Sequence, residues 1–489
     1  MIRPILIALA VTAAIADAHA QTAVITPAPV TTAPAAGPAV AAPEASAAQA
    51  QLPISLPSLT LAEAEALLLE RNLVLVAARR GVDAARAQVL VADTSPPPTI
   101  GYQQQVGGWS ESARFRGYNG ARGTSPLSNG TATLTVTIER GGKRELRTRL
   151  AQENVSVAEA QVLDTLRGQI FQLRQAFIGG LEARANLGVA LANRRALDNT
   201  EGLLRRQVQE GQIPESDLLR FQASRLPFEQ DLANAAQAYA AAAAQVAAIL
   251  GSNATAIRTL SGAAARDPVA IVLAPVPFDL RGRIETVPPA PPAREQLAEA
   301  VAGRPDVVAA LRNAAAAEAN TRLAEAARSR DLTVTGSASR SELSQDLPGG
   351  SRSFAAGSVS LGVSIPLFTS RLVEGGVASA TAQQGQARAL AQAALAQAQA
   401  DVAGAWASYI QARQLLTLTT AQALRRAEEA YQSTEAAYRA GGRTLLDVLD
   451  ALRTLNATRV AANGARAQML RALAGLEQAS GVGGISPRL

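Results

Sequence analysis

Residues 438–451 read Tyr438-Arg-Ala-Gly-Gly-Arg443-Thr-Leu-Leu-Asp447-Val-Leu-Asp450-Ala, and residues 211–218 read Gly211-Gln-Ile-Pro-Glu-Ser-Asp217-Leu. Each stretch breaks a long run of helix-forming residues and opens a second run, and each sets an aspartate six residues after a glycine. The two aspartates lie 230 residues apart. Outward from these breaks the likeness continues: LAEAEALLLERN at 61–72 opens one half of the chain, and LAEAVAGRPDVV at 297–308 opens the other. The chain is an internal duplication.

Its punctuation gives the organisation. Residues 1–20 combine Arg3, an apolar run and Ala18-His19-Ala20, the pattern of a cleaved export signal. Residues 21–57 are rich in proline and alanine and predict a disordered tether. The first repeat then occupies 58–251, a proline-rich linker 252–293, the second repeat 294–480, and a short tail 481–489. Within each repeat the spacing predicts an opening helix, two short strands, one long helix and a closing helix. The helices fall at 59–93, 143–209 and 215–250, then at 294–330, 371–440 and 444–480. Opening and closing helices together match the uninterrupted one in length, so each repeat predicts a two-rod hairpin roughly 100 Å long. A heptad seam runs along the second long helix through Leu395, Val402, Tyr409, Leu416, Ala423, Ala430 and Ala437, implying supercoiled packing on neighbours.

Composition removes whole classes of function. The chain has no cysteine, and its one histidine, His19, sits in the export signal. Thiol nucleophiles, Cys/His metal sites, disulfides and histidine-based triads are excluded; no catalytic residue, cofactor or resident metal is expected. The net charge of +6 is not gathered into a basic patch with interleaved aromatics, so no nucleic-acid partner is expected either. Aromatics are scarce and alanine abundant, which suits long helices in close approach.

Four β-like segments complete the pattern: 99–107, 131–139, 331–340 and 355–365. Several alternate apolar with small polar residues, and each has the length of a tilted transmembrane strand. The polar stretches 108–130 and 341–354 are expected as the loops that join them. No run outside the export signal is long and apolar enough for a spanning helix, so any membrane insertion must be as a β-barrel. Four strands cannot close a barrel, but three copies supply twelve.

With these features in place, residues 58–480 resemble the outer membrane factor family, the TolC-like exit ducts of Gram-negative tripartite pumps. The motif at 438–451 is similar to the family's periplasmic tip. The resemblance implies an α+β homotrimer with a twelve-stranded barrel in outer membrane lipid, continuous with a coiled-coil periplasmic tunnel. Its implied partners are a periplasmic adaptor and an inner-membrane RND (resistance-nodulation-division) pump. It places Asp447 and Asp450 at the pore constriction, Asp217, Tyr438 and Arg443 in a network that holds the tip closed, and Gly211, Gly441 and Gly442 in the tip turns. Arg220, the first-repeat counterpart of Asp450, receives no role. Ile138-Glu-Arg-Gly-Gly-Lys143-Arg-Glu-Leu-Arg147 resembles the strand-to-helix junction of the heavy-metal efflux branch.

The residues themselves leave alternatives open. Thr444 and Asp447 have the spacing of a capping box, which needs no pore, and both readings can hold for Asp447. Lys143, Arg144 and Arg147 fit either a branch marker or ordinary interfacial cations. Drug efflux and type I secretion are alternative cargoes, and a periplasmic scaffold or adhesin is the alternative without a pore.

Overall fold

The computed structural model describes residues 58–106, 125–252, 267–347, 350–487 and 489, apart from positions 277, 287, 289 and 441. The expected export signal and tether, and much of the expected loop at 108–130, lie outside the described residues.

The first repeat runs β1 (Ser58–Leu59), α1 (Leu61–Arg71), α2 (Leu73–Ala92), β2 (Thr99–Val106), β3 (Ser125–Ile138), α3 (Lys143–Gln209), α4 (Glu215–Ser224) and α5 (Leu226–Ile249). Then come α6 (Pro268–Leu273) and β4 (Asp279–Leu280). The second repeat comprises α7 (Arg294–Ala300), α8 (Pro305–Ala326), β5 (Leu332–Leu347), β6 (Gly350–Ser364), α9 (Ser370–Leu418), α10 (Leu424–Arg439) and α11 (Leu445–Ser480). Helix α3 packs on α2, α5, α8 and α11; α9 packs in turn on α8 and α11, and α10 packs on α11.

Both opening helices are broken, and the breaks do the same work. Asn72 caps α2 by accepting from the Leu75 N–H at 2.8 Å, and its Nδ2 donates to the Ile249 carbonyl at 2.7 Å. Arg304, just before Pro305, sends Nη1 to the Ala479 carbonyl at 2.8 Å. Each break residue therefore ties the opening helix to the last turn of its own repeat's closing helix, satisfying carbonyls that a helix end leaves free. Both side chains are buried. Burial opposes the Arg304 charge, but Asp306 at 2.6 Å and Asp401 at 3.1 Å more than offset this and hold the guanidinium above its usual range. The first closing helix also breaks, at Arg225, where the guanidinium meets Asp198 at 2.5 Å, Glu229 at 3.2 Å and Glu201.

The expected linker and tail are not bare connections. Phe278 and Leu280 are fully buried against Phe177, Ile178 and Leu181 of α3, and Ile485 enters the core formed by Val402, Tyr409 and Leu473. Gly180 permits this, since a Cβ there would stand 2.2 Å from Leu280 Cδ1. The Tyr239 hydroxyl donates to Asp279 and accepts from the Leu280 N–H at 3.0 Å. Burial, then Asp279, pushes its pKa up to about 12.

The long helix of the second repeat is not continuous α-helix. Thr419–Ala423 form a π-turn between α9 and α10, and the Thr419 and Thr420 hydroxyls donate to the Leu415 and Leu416 carbonyls at 2.6 and 2.7 Å. A π-turn inserts one residue into the helical phase. Val402 and Tyr409 are buried with Leu395 and Leu416 half-buried, as the seam predicts, but below the π-turn it passes to Leu424, Tyr431 and Tyr438. Ala423 and Ala430, expected on the seam, are exposed.

Candidate functional site

The four longer strands form one antiparallel sheet in the order β2-β3-β5-β6. Both hairpins are longer than expected. β3 begins at Ser125, and Leu347 pairs with Gly350, so most of the stretch read as a loop at 341–354 is strand. Register fixes what each face carries. Ile100, Leu134, Gly336 and Leu361 form one row, with Tyr102, Ala132, Ala338 and Val359 on one side of it and Val136, Val334 and Val363 on the other. On the opposite face lie Thr135 and Thr335, then Thr133, Ser337 and Ser360, then Gln103, Thr131, Ser339 and Ser358. Ser337 and Ser339 hydrogen-bond across the strands to Ser360 and Ser358, each at 2.7 Å. One face is apolar and exposed; the other is hydroxylic and, in these rows, uncharged. The outer edges of β2 and β6 have no partner strand among the described residues.

The chain passes from sheet to α3 through two left-handed glycines, Gly141 (φ 77°) and Gly142 (φ 65°). Gly141 is required for space as well as conformation, because a Cβ would fall 2.6 Å from Ser329 Cβ. Behind the turn, Lys143 Nζ meets Asp331 Oδ1 at 2.8 Å, and Arg147 forms a two-pronged pair with Glu139. Desolvation raises Asp331, but Lys143 and the Arg140 N–H outweigh it and leave the carboxyl below its usual range. The basic residues of the junction motif thus include two that fasten the first repeat's helix to the ends of the strands.

At the far end of the rods, Gly211 ends α3 at φ 69°, and the Gly442 N–H donates to the Ala437 carbonyl at 2.9 Å; Gly441 lies outside the described residues. Thr444 and Asp447 form a capping box. The Thr444 N–H and hydroxyl each donate to Asp447 Oδ2 at 2.9 Å, and the Asp447 N–H donates to Thr444 Oγ1 at 3.3 Å. The Thr444 N–H, then its hydroxyl, and less strongly Arg443 hold Asp447 below the usual carboxylate range. Asp450, one turn on, is exposed, and among the described residues its carboxylate has no hydrogen-bond or ion-pair partner. Asp217 sits in the first turn of α4, and Tyr438 at the end of the shifted seam. Among the described residues of one chain, no hydrogen bond or ion pair joins Asp217, Tyr438 and Arg443.

What joins the two tips within one chain is apolar. Leu197 and Leu204 of α3, Phe221 of α4, Phe228 of α5, and Leu449 and Leu452 of α11 form one buried cluster, with Tyr431 against it. The Arg453 guanidinium lies 5.7 Å from the centre of the Phe228 ring. The seven-residue spacing of Phe221 and Phe228 was the available sequence signal for this cluster.

The family model described as outer membrane efflux protein matches residues 66–252 and 297–482. No curated protein matches the sequence. Among solved structures, CusC is 19% identical over 86% of this chain and 92% of that one, with a TM-score of 0.63. The Campylobacter jejuni CmeC outer membrane channel is 17% identical over 86% and 85%, at 0.64. The Neisseria gonorrhoeae MtrE outer membrane channel in its open state is 22% identical over 87% and 90%, at 0.59. At these identities the likeness is one of fold.

Proposed function

This chain belongs to the outer membrane efflux protein family, and we propose that it serves, as a homotrimer, as the exit duct of a tripartite pump. It is an outer membrane protein and not an enzyme; transport through it is passive, and the energy comes from an RND pump reached through a periplasmic adaptor. The observation that carries the reading is the sheet. Its apolar face suits lipid, its hydroxylic face suits a water-filled lumen, and its two unpaired edges cannot remain open in hydrocarbon. Two further copies satisfy both edges and close twelve strands.

The cargo we favour is heavy-metal cations. Three-fold symmetry would gather six carboxylates from Asp447 and Asp450 at the constriction, a field that attracts cations and repels anions. The tip network of Asp217, Tyr438 and Arg443 then acts between subunits, in keeping with the lack of a hydrogen bond or ion pair joining the three among the described residues of one chain. The junction motif at 138–147 supports the metal branch less than its sequence suggests, since Gly141, Lys143 and Arg147 have structural duties there. Drug efflux remains the second reading, because a hydroxylic lumen does not discriminate among solutes. The test is deletion of the gene followed by sensitivity profiling against zinc, cobalt, cadmium, nickel, copper and common antibiotics. Sensitivity confined to divalent metals supports the reading; sensitivity confined to antibiotics contradicts it.

A further inference from the structure

Helices α3 and α11 run antiparallel and meet in a ladder of polar contacts. Arg174 pairs with Glu477 at 2.8 Å, Glu182 with Arg471 at 2.6 Å, and Asn463 Nδ2 donates to Asn186 Oδ1 at 3.0 Å. One heptad nearer the tip, the same register sets Asn193 opposite Asn456. This second asparagine pair is not made. Asn193 is 8% exposed, and its side chain has no hydrogen-bond partner among the described residues. Asn456 is 9% exposed, and its Nδ2 and Oδ1 are both sealed from solvent without a partner. Buried amides are ordinarily hydrogen-bonded, so two orphans at one level of the ladder call for an explanation.

Both asparagines line a cavity of about 800 Å³ bounded by α3, α5 and α11. Small side chains make the room: Ala235, Ala238 and Ala242 come from α5, and Gly179, Ala183 and Ala190 from α3. Small-molecule sites commonly have volumes of roughly 300–1,000 Å³, apolar walls and a few placed polar groups. Charge along the wall is balanced. Glu182 is engaged by Arg471, while Asp231 and Arg453, both exposed, carry opposite signs.

We propose that this cavity binds an uncharged organic molecule with an apolar body and a carboxamide-type group, held by Asn193 and Asn456. The site stands on the packing of one chain and on neither the barrel nor the cargo. A carboxamide donates and accepts at once, as each asparagine does, so one such group replaces the missing Asn–Asn bond when the Asn456 side chain turns inward. The apolar body gains burial against the alanines. An ion loses hydration on entering and meets only neutral amides at these two positions. Phe228 lines this cavity and also belongs to the apolar cluster that joins the tips, so an occupant braces the two repeats beside the tip.

The test uses the full chain in detergent and three probes that share one ring system: naphthamide, naphthoate and naphthylmethylamine, which are neutral, anionic and cationic at neutral pH. Binding is read by equilibrium dialysis against the same detergent without protein. Naphthamide should bind about tenfold more tightly than either charged probe. Asn193→Leu with Asn456→Leu should weaken naphthamide about tenfold. Melting should not fall in that variant, because each leucine replaces an orphaned amide. Ala238→Trp, which fills the cavity from an exposed position, should abolish binding while the assembly keeps its mass. Equal affinity for the three probes, or naphthamide binding indifferent to the leucines, overturns the amide recognition. Binding that survives Ala238→Trp overturns the site. If Ala238→Trp instead lowers the mass of the assembly, the groove is a contact between copies and the proposal fails. A clear drop in melting for the leucine pair makes the asparagines structural and contradicts it as well.

Discussion

Lys143 Nζ lies 2.8 Å from Asp331 Oδ1, and this ion pair joins the first turn of the first repeat's long helix to the residue before β5 of the second repeat. The two halves of the duplication are thereby locked at the level where sheet gives way to helix. Lys143 is only 14% exposed there and Asp331 32%, so neither charge is fully screened by water.

Asp331→Asn should cost about 1–3 kcal/mol, because Lys143 would be left partly desolvated without its counter-charge. Thermal unfolding in detergent checks this. The contribution carries a definite pH sign. Asp331 has a lowered folded-state pKa, so its stabilisation is complete above the unfolded value of about 4 and is lost as pH falls through the folded value. Wild type and the Asn variant should therefore converge in acid, and a constant gap across that range would contradict the assignment.

Tyr239 predicts the opposite limb. Its pKa is raised to about 12, so the stability it provides is complete below its ordinary value of about 10 and is lost between there and about 12. Tyr239→Phe should flatten the alkaline fall in stability over that window. A variant that declines as steeply as wild type would show that the strap at 278–280 does not depend on the neutral phenol.

The π-turn yields a prediction by deletion. Removing exposed Gln422 would turn Thr419–Ala423 into regular α-helix while keeping Leu424, Tyr431 and Tyr438 in heptad register with Leu416. The deletion variant should therefore fold with melting close to wild type, an unusual outcome for a shortened helix. Cooperative loss of the α10–α11 contact, followed by hydrogen exchange, would rule the phase argument out.

Much of this architecture was legible in the sequence, and the failures have physical causes. Helix α3 spans 143–209 as expected because Gly141-Gly142 and Gly211 mark its ends with left-handed turns. The hairpins were read short because Ser125–Gly130 and the polar stretches at 341–347 and 350–354 carry no apolar alternation, although their backbones continue the ladder. The seam was misplaced below Leu416 because Thr419-Thr420-Ala421-Gln422-Ala423 reads as ordinary helix, and alanines at 423, 430 and 437 imitate an unbroken heptad. Near the tip, the Thr444–Asp447 box was visible because capping is local. Among the described residues of one chain no bond joins Asp217, Tyr438 and Arg443, so the network that the resemblance implies stays a proposal about packing between copies.

The acidic residues at the tip separate cap from ring. Asn at 447 still accepts from Thr444, so Asp447→Asn with Asp450→Asn should leave the fold and its melting nearly unchanged. In planar bilayers the double variant should lose cation preference and block by trivalent cations from the periplasmic side. Unaltered reversal potential and block would leave Asp447 as a capping residue alone.

The central claim is that the free edges of β2 and β6 meet their counterparts on other copies, and a disulfide ladder tests it most directly. The chain has no cysteine, so pairs placed on β2 near Gln103 and on β6 near Ser360 act on a silent background. On oxidation in outer membranes, a pair in matching register should give covalent dimers and trimers, with a ladder that ends at three. A ladder that ends at one across all registers tried, or that continues past three, would contradict the closed trimeric barrel.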